Sequence, residues 1–412
     1  MARPSEYWPG FANLSTESEK YKRIQLILSS ANFEHLKKRG IDSRRRLQTN
    51  LPPDVGCSVN LTHFASGFDN LIMELAFSDN VYWIVRIPHR IEDDTRTSLL
   101  SEIATMNIIR KRTGLRVVPQ IFEFEMSTDQ PFGYPYVFME YLGGHTLDNG
   151  LAVSIPPRYH AKVAKQLANV FVELQNLTFN RIGRLWCGET ADQPVEIIAM
   201  AWHHSPGPLE TSLEYFYNQR QGENREIVAM HPNDSDWLTA CWVLKSALTQ
   251  IIIEDRVRGP FPLCHLDFHY GNLLFDNEYT LTGIIDWSNA QAAPLEQLSV
   301  CPEFVIFPGL SEEENRPIVE FKNLVIQFIK DMEKDKEKMP PLDQQQVNMK
   351  QSLGLTPLST YMASKSAEIT HRQYMASPKG SLWAGKVVAK LIYGNNITWE
   401  QLREVYGTMP LL

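Results

Sequence analysis

The period of apolar positions changes twice along this chain, and each change marks a different kind of element. In "LIMELAF" (71–77) Leu71, Met73, Leu75 and Phe77 fall on one face, the period-two signature of a strand. "SDN" (78–80) supplies turn chemistry and "VYWIVRI" (81–87) follows as a β-branched and aromatic run, so the pair reads as a β-hairpin. Leu99, Ile103, Met106 and Ile109 then recur at helical spacing, with Asp94 or Thr95 as N-cap and Gly114 as the stop. "VVPQIFEFE" (117–125) and "YPYVFMEYL" (134–142) return to strand character. This stretch reads β-β-α-β-β, an antiparallel sheet with one inserted helix.

After Gly143-Gly144 the pattern is mostly helical. "RYHAKVAKQLANVFVELQNL" (158–177) carries an apolar stripe through Val163, Leu167, Val170/Phe171 and Leu174, and a second helix is expected at 235–254. Residues 180–234, rich in Trp, His, Pro and Gly, show no clear period. "LTGIIDWSNAQ" (281–291) contains a short buried-strand run ending in Asp286. A charged amphipathic helix (about 311–336), a Pro/Gln-rich linker and a C-terminal helical region follow. The expected architecture is α+β and bilobal: a polar helical flank (1–50), a small β-rich lobe (51–142), a Gly-Gly hinge, and a larger helical lobe (143–412).

Composition narrows the classes of function. The 412 residues are 43% hydrophobic and 21% charged, as in a globular protein with a sizeable core. Lys and Arg total 40 against 48 acidic residues, net −8, which argues against a nucleic-acid partner. The dense basic run, Lys37-Lys38-Arg39 and Arg44-Arg45-Arg46, reads as a solvated helix end and its turn. Five scattered cysteines without a C-x-x-C suit a reducing compartment, each as a small buried hydrophobe. No uncharged apolar stretch of about 18 residues suggests a membrane span. The N-terminal segment resembles neither a signal nor a transit peptide, so a cytoplasmic protein is expected.

The chemistry concentrates in "CHLDFHYGNLLFD" (264–276). His265 and His269 have the i, i+4 spacing of a helical zinc site. Leu266, however, stands where the hydrolytic zinc motif needs glutamate, and Pro262 and Gly271 argue against a continuous helix. Phosphoryl transfer fits better. It needs a carboxylate to take the attacking hydroxyl's proton, and oxygen donors to hold magnesium against nucleotide phosphates. Asp267 and Asn272 have the Asp-x-x-x-x-Asn spacing of such loops, and Asp286 follows at the end of the next short strand. Gly271 would allow a tight turn before the asparagine.

"HLDFHYGN" followed by "GIIDW" resembles the H-x-D-x-H-x-x-N and I-D-W signatures of the aminoglycoside phosphotransferase/choline kinase family, small-molecule kinases with a protein-kinase-like fold. The resemblance spans roughly residues 58–300, with the general cast of fungal members. It implies that Asp267 is the catalytic base, that Asn272 and Asp286 hold Mg²⁺, and that His265 buttresses the loop, with His269 also keeping its shape. It further implies a phosphate-covering loop at Ser66-Gly67-Phe68, where backbone N–H groups would form an anion-binding nest. Arg86 takes the place of the usual phosphate-contacting lysine, and Glu102 in the following helix is its partner. "FMEYLGG" (138–144) corresponds to the adenine-binding hinge, with backbone groups of Glu140 and Leu142 on the base. ATP is the expected nucleotide, GTP not being distinguished.

Trp287 follows Asp286 where protein kinases have Phe-Gly, and no Ala-Pro-Glu anchor occurs before residue 320, which favours a small-molecule hydroxyl acceptor over a protein. Trp202, His203, His204, Trp287 and acidic residues beyond Asp286 are candidate pocket walls, and acidic walls would favour a cationic amine or amino sugar. Arg86 and the single glycine of the phosphate loop keep an alternative open, a catalytically inactive kinase-like scaffold.

Overall fold

The computed structural model describes residues 3–201, 203–307, 309–337 and 354–410. The Pro/Gln-rich linker lies outside the described residues. In chain order the first elements are α1 (Glu19–Ser30), α2 (Phe33–Leu47), β1 (Cys57–Val59), β2 (Ala65–Ser66), β3 (Asn70–Phe77), β4 (Tyr82–Pro88), α3 (Thr95–Arg112), β5 (Ile121–Glu125) and β6 (Tyr136–Glu140). Among the described residues their strands form one six-stranded antiparallel sheet in the order β1-β3-β4-β6-β5, with β2 paired to β3. This is the β-β-α-β-β pattern read from the alternation. α3 ends at Thr113, whose hydroxyl donates to the Ile109 carbonyl, one residue before the expected stop.

Both faces of the sheet are covered. Leu71, Met73, Leu75, Trp83, Val85 and Ile87 share a core with Ile24, Ile27 and Leu36 of α1 and α2, so these two helices build one wall of the small lobe. Ile84, Val137 and Met139 point the other way, onto Leu99, Leu100 and Ile103 of α3. Strand parity therefore sends Arg86, two residues from Ile84, to the α3 face.

The basic run is a clamp rather than a solvated end. Arg44 is 2% exposed and bidentate to Asp79 at 2.7 and 2.9 Å, with its guanidinium 4.5 Å from the Phe77 ring. Arg39 and Arg46 both pair with Glu123 of β5. Arg44→Ala is expected to cost about 2 kcal/mol in urea unfolding, since the buried Arg44 side chain, its packing on Phe77 and its Asp79 pair are all lost. A loss below about 0.5 kcal/mol would show that α2 is held by its apolar face alone.

The larger lobe follows with α4 (Leu151–Ser154), α5 (Pro157–Asn176), β7 (Thr178–Phe179), β8 (Arg184–Trp186), β9 (Glu196–Ile198), α6 (Ser212–Met230), α7 (Ser235–Ser246), α8 (Leu248–Ile251), β10 (Phe261–Cys264), β11 (Leu273–Phe275), β12 (Leu281–Ile284), β13 (Gln291–Ala292), α9 (Leu295–Leu298), α10 (Glu312–Glu337), α11 (Leu358–Met362), α12 (Lys365–Met375), α13 (Ser381–Tyr393) and α14 (Trp399–Tyr406). α5 buries the expected stripe and packs on α10. The helix expected at 235–254 is broken: Ile252 is extended, and the chain turns there toward β10. α6, which the apolar period did not reveal, starts from a capping box in which Thr211 and Glu214 each accept the other's backbone N–H. Between the lobes Gly144 takes φ 129°, and a Cβ there would stand 2.8 Å from the Phe275 carbonyl oxygen, so only glycine fits the crossing. The five cysteines are free and four are buried. No helix among the described residues is long and apolar enough to cross a membrane.

Candidate active site

β10 is buried along its length and delivers the chain to His265 at the floor of the cleft. The His265 Nε2 donates to the Ile285 carbonyl at 2.9 Å, and its Nδ1 accepts the Asp267 N–H at 3.3 Å. Each ring nitrogen thus has one role, which requires the neutral ring, and burial pushes its pKa down accordingly. The imidazole ties the Asp267 backbone to the residue before Asp286, the buttress expected of it. The Ile285 N–H adds a second tie to the Asn272 carbonyl at 3.0 Å, and β11 pairs antiparallel with β12.

Asn272 donates its amide to the Asp267 carbonyl at 2.9 Å and to Oδ2 at 3.2 Å, leaving its carboxamide oxygen to face outward from the loop. His269 accepts the Gly271 N–H on Nδ1 at 3.0 Å and places Nε2 3.4 Å from Asp267 Oδ1. Gly271 does not adopt a positive φ; a Cβ there would meet the His269 ring at 2.8 Å, so the glycine provides space rather than a special turn. The two histidines lie on either side of a bent loop, and the helical zinc spacing has no helix to act on. Asp286 sits at φ 60°, ψ 62°, the left-handed region that aspartate tolerates, with Ser288 donating to Oδ1 at 2.6 Å.

Arg86 pairs with Glu102 of α3, both largely buried. Burial opposes its charge, but attraction from Glu102 and Asp286 outweighs this and holds the Arg86 pKa above its ordinary value. Glu102 also accepts a hydrogen bond from the Trp287 backbone, linking α3 and β4 to the segment carrying Asp286. The Ser66-Gly67-Phe68 loop differs from a nest: the Gly67 N–H is already bonded to the Asn70 carbonyl at 2.9 Å and Gly67 lacks a positive φ. The Lys20 ammonium from α1 reaches the Ser66 carbonyl at 3.1 Å, and Phe68 is exposed. At the hinge the Glu140 N–H bonds the Gln120 carbonyl and its carboxylate pairs with Arg110, while Leu142 packs over Gly283.

A cavity of about 450 Å³ opens beside Asp267, between α6, α12 and the segment after Asp286. His203 lines it as expected; His204 instead turns toward Glu226, 3.7 Å away, in space left by Gly222. Trp202 lies outside the described residues. Trp287 is not a wall: it is 1% exposed, with Nε1 donating to the Ile284 carbonyl. The acidic residues beyond Asp286 are not walls either. Glu303 receives the N–H groups of Leu151 and Tyr270 at 2.7 and 3.0 Å and so anchors the loop at 265–272 to α4. Glu296 is fully buried and accepts the Ile253 N–H at 2.8 Å.

Burial pushes the Glu296 pKa up from 4.5 to about 7. The folded state therefore holds this proton more tightly than the unfolded chain, so stability falls as pH rises between those values. Glu296→Gln, which keeps an oxygen for Ile253, is expected to stabilise the protein by about 1–3 kcal/mol above pH 7, with the gap closing below about pH 5. Thermal melts of both proteins across that range check this; a gap independent of pH would contradict it.

Three contributors carried no local sequence signal. Glu303 is one. Arg184 of β8 spans to Asp94 at the start of α3, at 2.6 Å, and lines the cavity. Tyr374 of α12 donates to the Leu266 carbonyl at 2.8 Å, flanking Asp267 from more than 100 residues away in sequence.

Two lobes joined at Gly144, with an aspartate–asparagine loop tied to a second aspartate after the next strand, define a protein-kinase-like fold. A family model described as the phosphotransferase enzyme family matches residues 60–297, and the chain belongs to that family. A Candida glabrata protein named altered inheritance of mitochondria protein 9, mitochondrial, is 26% identical over 129 residues, covering 26% of this chain. The match takes in 20% of that relative's own length. Among solved structures, the streptomycin–ATP–APH(2″)-IIa ternary complex is similar with a TM-score of 0.45 at 13% identity, over 89% of this chain and 95% of that one. An ethanolamine kinase of Plasmodium vivax has a TM-score of 0.44 at 11% identity, over 96% of both chains.

Proposed function

We propose that the protein is a Mg²⁺-dependent kinase that moves the γ-phosphoryl group of ATP to a hydroxyl of a small molecule. The observation that carries this reading is the position of Asp267: its carboxylate lines the cavity, while its own loop is bonded to Asn272 and, through His265, to the residue before Asp286. In this reading the acceptor side and the nucleotide side meet at one carboxylate.

Asp267 orients the acceptor hydroxyl and receives its proton. The Asn272 carboxamide and Asp286 carboxylate offer hard oxygen donors, a set that suits Mg²⁺ completed by phosphate oxygens and water. Bound there, the metal would neutralise charge on the phosphates during transfer. Arg86 puts a permanent positive charge in the same cleft, oriented by Glu102. The hinge beside Glu140 and Leu142 and the turn at Ser66–Phe68 take the base and cover the phosphates, the turn with fewer backbone donors than a glycine-rich loop has.

The test is a thermal melt of the full chain with and without Mg-ATP, together with γ-labelled ATP in a mixed pool of hydroxyl compounds. A rise in melting temperature that requires Mg²⁺, and label in an organic product, are expected. No rise with a correctly folded protein would instead favour the inactive scaffold.

A further inference from the structure

The acceptor cavity has a composition that chooses among hydroxyl compounds, and this inference rests on the kinase reading above. Its polar wall is dominated by carboxamides: Gln219, Asn289, Gln291, Gln297 and Gln373. Besides Asp267 it holds one carboxylate, Glu223, which is already engaged by Arg220 Nη2 at 2.5 Å and by the Gln219 amide at 2.8 Å. Arg220 is 2% exposed, and its Nη2 also donates to the Ala376 carbonyl at 2.9 Å, so it serves as the buried partner of Glu223.

A cationic amine fits this wall poorly. It would meet Arg184 and the Arg220–Glu223 pair with Asp267 alone, itself bonded by Asn272, to offset its desolvation. Carboxamides donate and accept at once, as hydroxyl groups do, so they match a molecule with many hydroxyls. The Tyr215 and Phe216 side chains add an apolar surface for the C–H face of a ring. The volume of about 450 Å³ lies within the range of small-ligand sites.

We propose that the acceptor is an uncharged polyhydroxylated molecule, a sugar or polyol, held by these carboxamides with one hydroxyl at Asp267. In the transfer the acceptor oxygen forms a bond to the γ-phosphorus as the bond to the β-phosphate oxygen breaks. The hydroxyl proton passes to Asp267, and ADP leaves with the electron pair.

The full chain is incubated with γ-labelled Mg-ATP and three separate sets of acceptors: neutral hexoses, pentoses, disaccharides and inositol; the amines kanamycin, choline and ethanolamine; and the sugar acids gluconate and glucuronate. Label in the first set, with kcat/KM at least about tenfold above the other two, is the expected result. Preference for the amines or the sugar acids overturns the assignment while the kinase reading stands. No product in the first set, with Mg-ATP binding intact, overturns it equally; absence of Mg-ATP binding removes both readings. For the preferred neutral acceptor, the surface-accessible Asn289→Leu should raise KM by about tenfold, the scale of one hydrogen bond, with kcat within about twofold. An unchanged KM in the folded variant overturns the placement.

Discussion

Asp267→Asn is expected to lower phosphoryl transfer by about 10²–10⁴-fold while nucleotide binding stays near that of the unsubstituted protein. The two side chains have the same shape, so the surrounding loop has no reason to move. Its backbone N–H still meets His265 Nδ1, and its carbonyl still accepts from Asn272. An asparagine oxygen can also accept the second Asn272 contact now made to Oδ2. What disappears is the basic oxygen that takes the acceptor's proton. Single-turnover transfer of labelled phosphate measures the chemical step, and a melt with Mg-ATP reads binding separately. Transfer within about threefold of the unsubstituted rate would remove Asp267 from the role of base.

Asp286→Asn acts on the opposite side of the reaction. Asparagine is chosen because residue 286 sits at φ 60°, where asparagine is at ease and alanine is strained. The Ser288 hydroxyl can still donate to the side-chain oxygen. The negative charge is lost, however, and a hard divalent cation bound by few protein ligands depends on ligand charge. Mg-ATP affinity is expected to fall about a hundredfold, equivalent to ~2.7 kcal/mol. Binding without Mg²⁺ should change little or strengthen slightly, because a carboxylate near the phosphates is gone. Equal losses with and without metal would mean that Asp286 shapes the site without holding the ion.

Much of this was legible before any coordinates. The alternation in 71–77 is the sheet's own pleat, so with the β-branched run of 81–87 it foretold the β3–β4 hairpin and the face taken by Leu71, Met73, Leu75 and Phe77. The stripe through Val163, Leu167 and Leu174 is buried in α5 for the same local reason. Periodicity failed at 180–234, where short strands and a helix whose buried residues include Ser212, Arg220, Gly222 and Asn224 leave no apolar face; the Thr211–Glu214 capping box was the signal that remained. It also failed at Arg44, since a charge run looks alike whether water or Asp79 receives it.

The site divides along the same line. Asp267, Asn272 and Asp286 lie within 20 residues, and hairpin geometry brings them together, so spacing in the sequence by itself marks the proposed chemical centre and the class of reaction to expect. The pairing of Arg86 with Glu102 is one step further, a strand and the next helix. The walls of the acceptor cavity are a different matter. Gln219, Arg220 and Gln373 come from helices separated by some 150 residues, while the nearby Trp287, Glu296 and Glu303 turn into the protein as packing and anchors. Which polar side chains face a cavity depends on how distant helices stack and which backbone donors each buried carboxylate must satisfy. The sequence determined where the proposed phosphoryl transfer is centred; only the tertiary structure decided that the chamber beside it is lined with more amides than acids.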